Sequence, residues 1–194
     1  QDLYGVAYGG GVFVAVGNED DDGYAVITKS ADNGVTWTKQ THALRTYLRG
    51  LVYGGSKFVA VGYDANNEKS LIATSSVGTS WGNTTPTGLT AIVNDVAYGA
   101  VGATPVFVLV MDGGKCYSST DGVTWTSRTT GTATRLCGVA IGATYCVVVG
   151  GDDDLNTSVA RRTNNWTFAA CTVPSGTDQL NAIQDGWDDM ESDR

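Results

Sequence analysis

Apolar residues in this chain come in short runs, never at helical spacing. The first is LYGVAYG (3–9), which mixes apolar and small residues. A glycine pair follows, and then VFVAVG (12–17), apolar almost without interruption. A polar stretch, NEDDDG (18–23), leads to YAVITKS (24–30), and the polar turn SADNGVT (30–36) leads to Trp37-Thr38. Runs of this length, rich in Val, Ile, Tyr, Phe and Thr and bounded by Gly, Asn, Asp and Ser, read as β-strands. Their connections, two to eight residues long, fit antiparallel hairpins. The pattern predicts an essentially helix-free, all-β chain.

The pattern then repeats. LYGVAYG (3–9) returns as LRGLVYG (48–54), VNDVAYG (93–99) and LCGVAIG (136–142), with starts 45, 45 and 43 residues apart. VFVAVG returns as KFVAVG (57–62), VFVLVM (106–111) and YCVVVG (145–150). Trp37, Trp81, Trp125 and Trp166 are spaced 44, 44 and 41. Three landmarks in one order, at a period near 44, are the signature of a β-propeller: four-stranded antiparallel blades, four repeats, and the first strand of a fifth. The repeats span 3–44, 48–89, 93–132 and 136–176 within a single domain, 1–194. The surplus strand is LNAIQDG (180–186), followed by an acidic tail, 187–194. Three readings of that strand stay open: truncation of a longer propeller, closure of a four-bladed ring, or donation to a neighbouring subunit to build a filament.

The turn before each tryptophan carries a resemblance. Ser30, Asp32, Gly34, Thr36 and Trp37 resemble the Asp-box of the BNR repeat, a family of sialidase-like propellers with many non-enzymatic members. Ser75, Gly78 and Trp81 keep the frame without the carboxylate. Ser119, Asp121, Gly122, Thr124 and Trp125 keep it one residue shorter, and Thr163 and Trp166 are the remnant in the fourth repeat. A short Asp or Ser side chain accepts hydrogen bonds from its own turn, so these residues read as hairpin locks and not as catalysts. The resemblance implies that the turns lie on the outside of each blade. It also implies what a sialidase would need: three arginines on a carboxylate, a Tyr nucleophile with a Glu partner, and an Asp acid/base. Seven arginines are present, but no Arg-Ile-Pro-like segment is, and Glu19, Glu68 and Glu191 fall in loop or tail contexts. The lone histidine, His42, has no nucleophile pattern around it. The expectation is no enzyme activity.

Charge narrows the partners. The formal net charge is −8, with a pI near 4.4, which repels phosphate backbones and argues against nucleic acid. No apolar run approaches the roughly 20 residues of a membrane-crossing helix, so no membrane insertion is expected. The chain opens at Gln1 without a starting Met, as a mature secreted product or an excised piece does. Asp20, Asp21, Asp22, Asp152, Asp153 and Asp154 crowd two loops that share a face, and calcium is a candidate there, although the spacing of a calcium loop is missing. Cys116, Cys137, Cys146 and Cys171 lie in the second half, as two disulfides of a secreted protein or as small buried hydrophobes. Asn83, Asn156 and Asn165 open N-x-S/T sequons and are glycosylation candidates, Asn156 the best placed. Tyr4, Tyr8, Tyr53 and Tyr98 line a channel or pack between blades.

These observations favour a non-enzymatic extracellular or cell-surface module that is structural or binds protein, self-association included, as a subunit of a surface filament or matrix assembly. The alternatives are a glycan-binding lectin propeller and, more remotely, a fragment of a sialidase-like glycoside hydrolase.

Overall fold

The computed structural model describes residues 2–45, 47–131 and 133–151, and the backbone of 157–162 and 168–171. Among these residues sixteen strands form four four-stranded antiparallel sheets, each in chain order. Blade one is β1 (Leu3–Gly9), β2 (Val12–Glu19), β3 (Ala25–Ser30) and β4 (Thr38–Lys39). Blade two is β5 (Tyr47–Gly54), β6 (Lys57–Asp64), β7 (Lys69–Ser75) and β8 (Gly82–Asn83). Blade three is β9 (Val93–Val101), β10 (Thr104–Met111), β11 (Cys116–Ser119) and β12 (Thr126–Arg128). Blade four is β13 (Leu136–Ile141), β14 (Cys146–Gly151), β15 (Thr157–Arg162) and β16 (Phe168–Cys171). The described residues contain no α-helix, only a 3-10 turn at Asp112–Gly114. The chain is an all-β propeller fold.

The core lies between blades. In β6, Phe58 and Ala60 face blade one and join Val14, Val16 and Ile27, while Val59 and Val61 face blade three and join Val93, Phe107 and Leu109. In β10 the two faces divide in the same way, with Val106, Val108 and Val110 packing against Leu136, Cys146 and Val148 of blade four. A strand covered on both sides has no polar face, which is why the second run of each repeat is continuously apolar and not alternating. Within each of the first three blades an aromatic pair links the two inner strands: Tyr8–Phe13, Tyr53–Phe58 and Tyr98–Phe107, with centroids 4.6, 4.8 and 4.5 Å apart. Blade four puts Ile141 opposite Cys146 in the same register.

The inner strands pack in series, β1 on β5, β5 on β9 and β9 on β13. Leu3, Val6 and Tyr8 of β1 stay 52%, 64% and 57% exposed. Among the described residues the blades form an open arc. The surplus strand 180–186 and the acidic tail lie outside the described residues, as do Trp166, Asn156, Asn165 and Asp152–Asp154.

Candidate functional site

Each inner strand carries a β-bulge at the same place. Pairing jumps from Leu3↔Gly17 to Gly5↔Val16, from Leu48↔Gly62 to Gly50↔Val61, from Met111↔Val93 to Val110↔Asp95, and from Leu136↔Gly150 to Gly138↔Val149. The extra residues are Tyr4, Arg49, Asn94 and Cys137. A bulge takes one side chain out of the alternation of the sheet and re-aims it, and bulges are frequent beside binding sites. Glycine is needed opposite three of them. A Cβ on Gly17, Gly62 or Gly150 would stand 2.0, 2.1 or 1.9 Å from the carbonyl oxygen of Asp2, Tyr47 or Arg135.

Two of these residues, Tyr4 and Arg49, line a groove of about 580 Å³ together with Asn18, Tyr47 and Arg135. It lies at the end of the blades where β2 runs into β3 and β6 into β7. A polar relay crosses three blades beside it. Arg49 Nη1 donates to Asn94 Oδ1 at 2.7 Å, and Asn94 Nδ2 donates to Asp112 Oδ1 at 2.7 Å and to the Leu136 carbonyl at 2.8 Å. Arg135 Nε lies 3.2 Å from Asp112 Oδ1. The Arg49 guanidinium also sits over the Tyr47 ring, 5.2 Å from its centroid. Asn94 is buried and holds Arg49 in place. Each guanidinium has five N–H donors, and the relay uses one from each arginine. Arg135 pairs with the Asp112 carboxylate, whereas Arg49 is held by the neutral Asn94. Forked donors beside flat aromatic rings suit a carboxylate on a partner.

Asp95, next to the bulge, was not singled out from the sequence. It is half-buried, and its Oδ2 accepts the Val139 N–H of blade four at 2.9 Å, while Oδ1 accepts its own neighbour's, Val96, at 2.8 Å. Burial raises its pKa, against the pull of those two amides.

The Ser-Asp-Gly turns lie at the opposite end of the blades. Ser30 Oγ donates to Asp32 Oδ1 at 2.7 Å and accepts the Gly34 N–H at 2.9 Å. Asp32 Oδ1 accepts the Thr36 N–H at 2.9 Å, and Oδ2 takes the Thr36 hydroxyl. These bonds lower Asp32 to about 2, the Thr36 hydroxyl contributing most. Trp37 Nε1 donates to the Gly34 carbonyl at 3.0 Å. Asp121 makes the same set with Ser119, Val123 and Thr124, and the two amides of Val123 and Thr124 hold it well below the usual carboxylate range. The second turn keeps only the Ser75 Oγ bond from the Gly78 N–H, 2.8 Å. In all three turns the serine accepts the glycine N–H, and that glycine has φ between 71° and 87°, a backbone shape that a Cβ resists. The tryptophans stand one residue ahead of the outer strands β4, β8 and β12.

The acidic tip of blade one does not gather into a cage. Asp20 accepts the amides of Asp22 and Tyr24, and its Oδ2 lies 2.8 Å from Lys39 Nζ. The Lys39 bond is the largest cause of its pKa falling to about 2. Among the described residues no three His, Cys, Asp or Glu side chains converge as a metal would need. His42 lies nearby, with its Nδ1 accepting the Leu44 N–H at 3.2 Å and burial lowering its pKa. Asn83 is exposed on β8.

Three of the four cysteines have described side chains. No disulfide joins any two of Cys116, Cys137 and Cys146. Cys116 and Cys146 are buried in the core between blades three and four, as small hydrophobes at the places of Ile27 and Phe13 in blade one, while Cys137 sits exposed on its bulge. The side chain of Cys171 lies outside the described residues.

A family model described as the DUF6242 beta propeller domain matches residues 45–182. No curated protein matches the chain by sequence. Among solved structures, YCF48 bound to a D1 peptide is similar at 16% identity and a TM-score of 0.55, over 84% of this chain and 50% of that one. A chain of a nidogen/laminin complex is similar at 12% identity and a TM-score of 0.58, over 86% and 78%. A Trypanosoma rangeli sialidase in complex with 2,3-difluorosialic acid is similar at 16% and 0.58, over 88% and 37%. This chain thus spans about half the length of YCF48 and less of the sialidase. These likenesses are of fold.

Proposed function

The chain belongs to the DUF6242 beta propeller family, and from that premise we propose that it is a non-enzymatic protein-binding module, acting outside the cell or at its surface in a structural or matrix assembly. The observation that carries this is the groove between Tyr4, Tyr47, Arg49 and Arg135. Its arginines are held by Asn94 and Asp112 with donors left over, between two tyrosines. That is the chemistry of a clamp for a peptide carrying a carboxylate, either an acidic side chain or a chain terminus. Two structural neighbours are complexes with other proteins or peptides, YCF48 with a D1 peptide and nidogen with laminin.

The catalytic reading has less to work with. The groove brings together two arginines and no glutamate, and both carboxylates of the Ser-Asp-Gly turns are used within their own turns. A lectin would need its repeated tyrosines free to stack on sugar, and Tyr53 and Tyr98 pack over glycines of the preceding blade. An extracellular setting is supported by the exposed sequon at Asn83.

A phage-displayed peptide library tests the proposal. Selected peptides are expected to carry a carboxylate that is essential for binding. Arg49→Ala and Arg135→Ala are each expected to weaken binding at least about tenfold, as losing a charge-assisted hydrogen bond does, with an unchanged circular-dichroism spectrum. Peptides that bind the double variant as well as the parent would overturn it, as would turnover of a sialoside by the parent protein.

A further inference from the structure

The first Ser-Asp-Gly turn holds one residue that its hydrogen bonds do not use. Asn33 stands between Asp32 and Gly34, whereas the shorter third turn joins Asp121 directly to Gly122. The bonds that close the first turn come from Ser30, Asp32, Thr36 and Trp37. Asn33 is exposed at the tip, with φ at 60°, a left-handed shape that Asn tolerates better than most residues. Asn33-Gly34 is also the only Asn-Gly pair in the sequence. Asparagine is chemically labile, and most so before glycine, because no Cβ shields the nitrogen that follows its side-chain amide.

The peptide unit at risk is held from both sides. The Gly34 N–H donates to Ser30 Oγ at 2.9 Å, and the Gly34 carbonyl accepts the Trp37 Nε1–H at 3.0 Å. Ser30 is only 1% exposed, and its own hydroxyl is aimed by the bond to Asp32 Oδ1 at 2.7 Å. An attack by the Gly34 nitrogen on the Asn33 side chain requires that nitrogen to lose its proton. In the closed turn the proton points at an oxygen lone pair, and an ionised carboxylate stands behind that oxygen. Both disfavour the amide anion, and the two bonds resist the rotation that would bring the nitrogen onto the side chain.

We propose that Asn33 is a site of spontaneous deamidation gated by this turn: closed, the Ser30 hydroxyl protects the pair, and open, the pair converts. The Gly34 nitrogen gives its proton to solvent and bonds to Asn33 Cγ. The Cγ–Nδ2 bond breaks, and Nδ2 takes a proton and leaves as ammonia, closing a succinimide. Water then opens the ring at one carbonyl or the other, giving aspartate or isoaspartate with no change of oxidation state. The isoaspartyl product carries an extra methylene in its main chain, so Ser30 Oγ and Trp37 Nε1 no longer meet Gly34 together. The aspartyl product keeps the main chain and sets a second carboxylate beside that of Asp32. Either way, one opening of blade one leaves a covalent mark, and the isoaspartyl mark keeps the turn from reclosing. The turns of Ser75 and Ser119 close on glycine with no asparagine before it, so this chemistry belongs to blade one of these three.

Peptide mass spectrometry of the 194-residue chain, incubated at mildly alkaline pH with and without urea, reads the conversion, and an isoaspartate carboxyl methyltransferase with labelled methyl donor counts the isoaspartyl product. Asn33 is expected to convert at least about tenfold more slowly in the folded protein than in urea, as a position that reacts only on opening does. Ser30→Ala is expected to speed conversion in the folded protein about fivefold, as losing one hydrogen bond from the closed state does. Ser75→Ala removes the same bond from the second turn and is expected to leave the Asn33 rate unchanged, which separates the local gate from a general loss of stability. Hydrogen exchange at the Gly34 amide of the parent protein reads the gate without any substitution, and its protection factor is expected to match the slowing at Asn33. Conversion as fast in the folded protein as in urea overturns the proposal. So does equal acceleration by Ser30→Ala and Ser75→Ala, or a Gly34 amide that exchanges freely.

Discussion

Gly54→Ala measures how tightly one blade seats on the next. The new methyl would stand 2.1 Å from Cγ and Cδ1 of Tyr98 and 2.6 Å from Cδ2. Carbon atoms rest about 3.5–4.0 Å apart, so the ring would have to retreat by roughly 1.5 Å. Phe107 packs against that ring, 4.5 Å centroid to centroid and at 0% exposure, and limits its retreat. Overpacking of this kind costs about 1–3 kcal/mol, and the limited retreat puts this site near the top of that range. Gly54 does not have a positive φ, so alanine strains no backbone and recovers about 0.5–1 kcal/mol of chain entropy. The net expectation is a loss of about 2 kcal/mol. Gly82→Ala is the control, since nothing lies within 4 Å of its Cβ, and it should be neutral or slightly stabilising. Tyr98→Ile should rescue Gly54→Ala in part, because Gly99 and Ile141 already form the looser version of the pair, at 2.8 Å. Urea unfolding followed by circular dichroism and tryptophan fluorescence reads all four proteins. A Gly54→Ala protein as stable as Gly82→Ala refutes the reasoning.

Acid should unfold the protein through its turns. Asp20 and Asp32 are lowered from 3.8 to about 2 and Asp121 further, so their hold is full above about pH 4 and is lost as pH falls toward 2. The urea midpoint should fall across that window, and Asp32→Asn with Asp121→Asn should flatten the fall. Asp95 runs the other way: burial raises its pKa, so ionising it costs stability as pH rises, and Asp95→Asn should be better tolerated at pH 7 than at pH 4 in the same assay. A thiol reagent should label exposed Cys137 at once and buried Cys116 and Cys146 only on unfolding, read by mass spectrometry of the labelled peptides. Phe58→Ala, at a fully buried position, should cost about 3–5 kcal/mol in urea unfolding, and half-buried Phe13→Ala clearly less.

The blades were legible because their makers recur. Phe13, Phe58 and Phe107, the glycines after each inner strand and the tryptophan turns return at one spacing, and each is needed once per blade. The groove was not legible, because its residues differ from blade to blade. Tyr4, Arg49, Asn94 and Cys137 occupy one repeat position with four unrelated side chains, and a search for recurrence discards such a position. The usable signal was the reverse: a variable letter inside an otherwise fixed frame. Asp95 carried a similar signal, as the one acid where the other repeats have Gly5, Gly50 and Gly138. The cysteines were ambiguous because burial and pairing leave the same trace in a sequence. Cys116 and Cys146 fill places held by Ile27 and Phe13, and that substitution pattern pointed to packing.

The bulged position has a consequence for how this surface can change over generations. A residue in regular pairing is constrained by the blade behind it and the blade ahead. Tyr4 and Cys137 are exposed and stand outside that register, so neither is tied to the fit between sheets. Asn94 is the anchored exception, buried and bonded to three neighbours. Two of the four blades can therefore each exchange one side chain at this position while the fold keeps its shape. The molecule separates what it must conserve to stand from what it can rewrite to choose a partner.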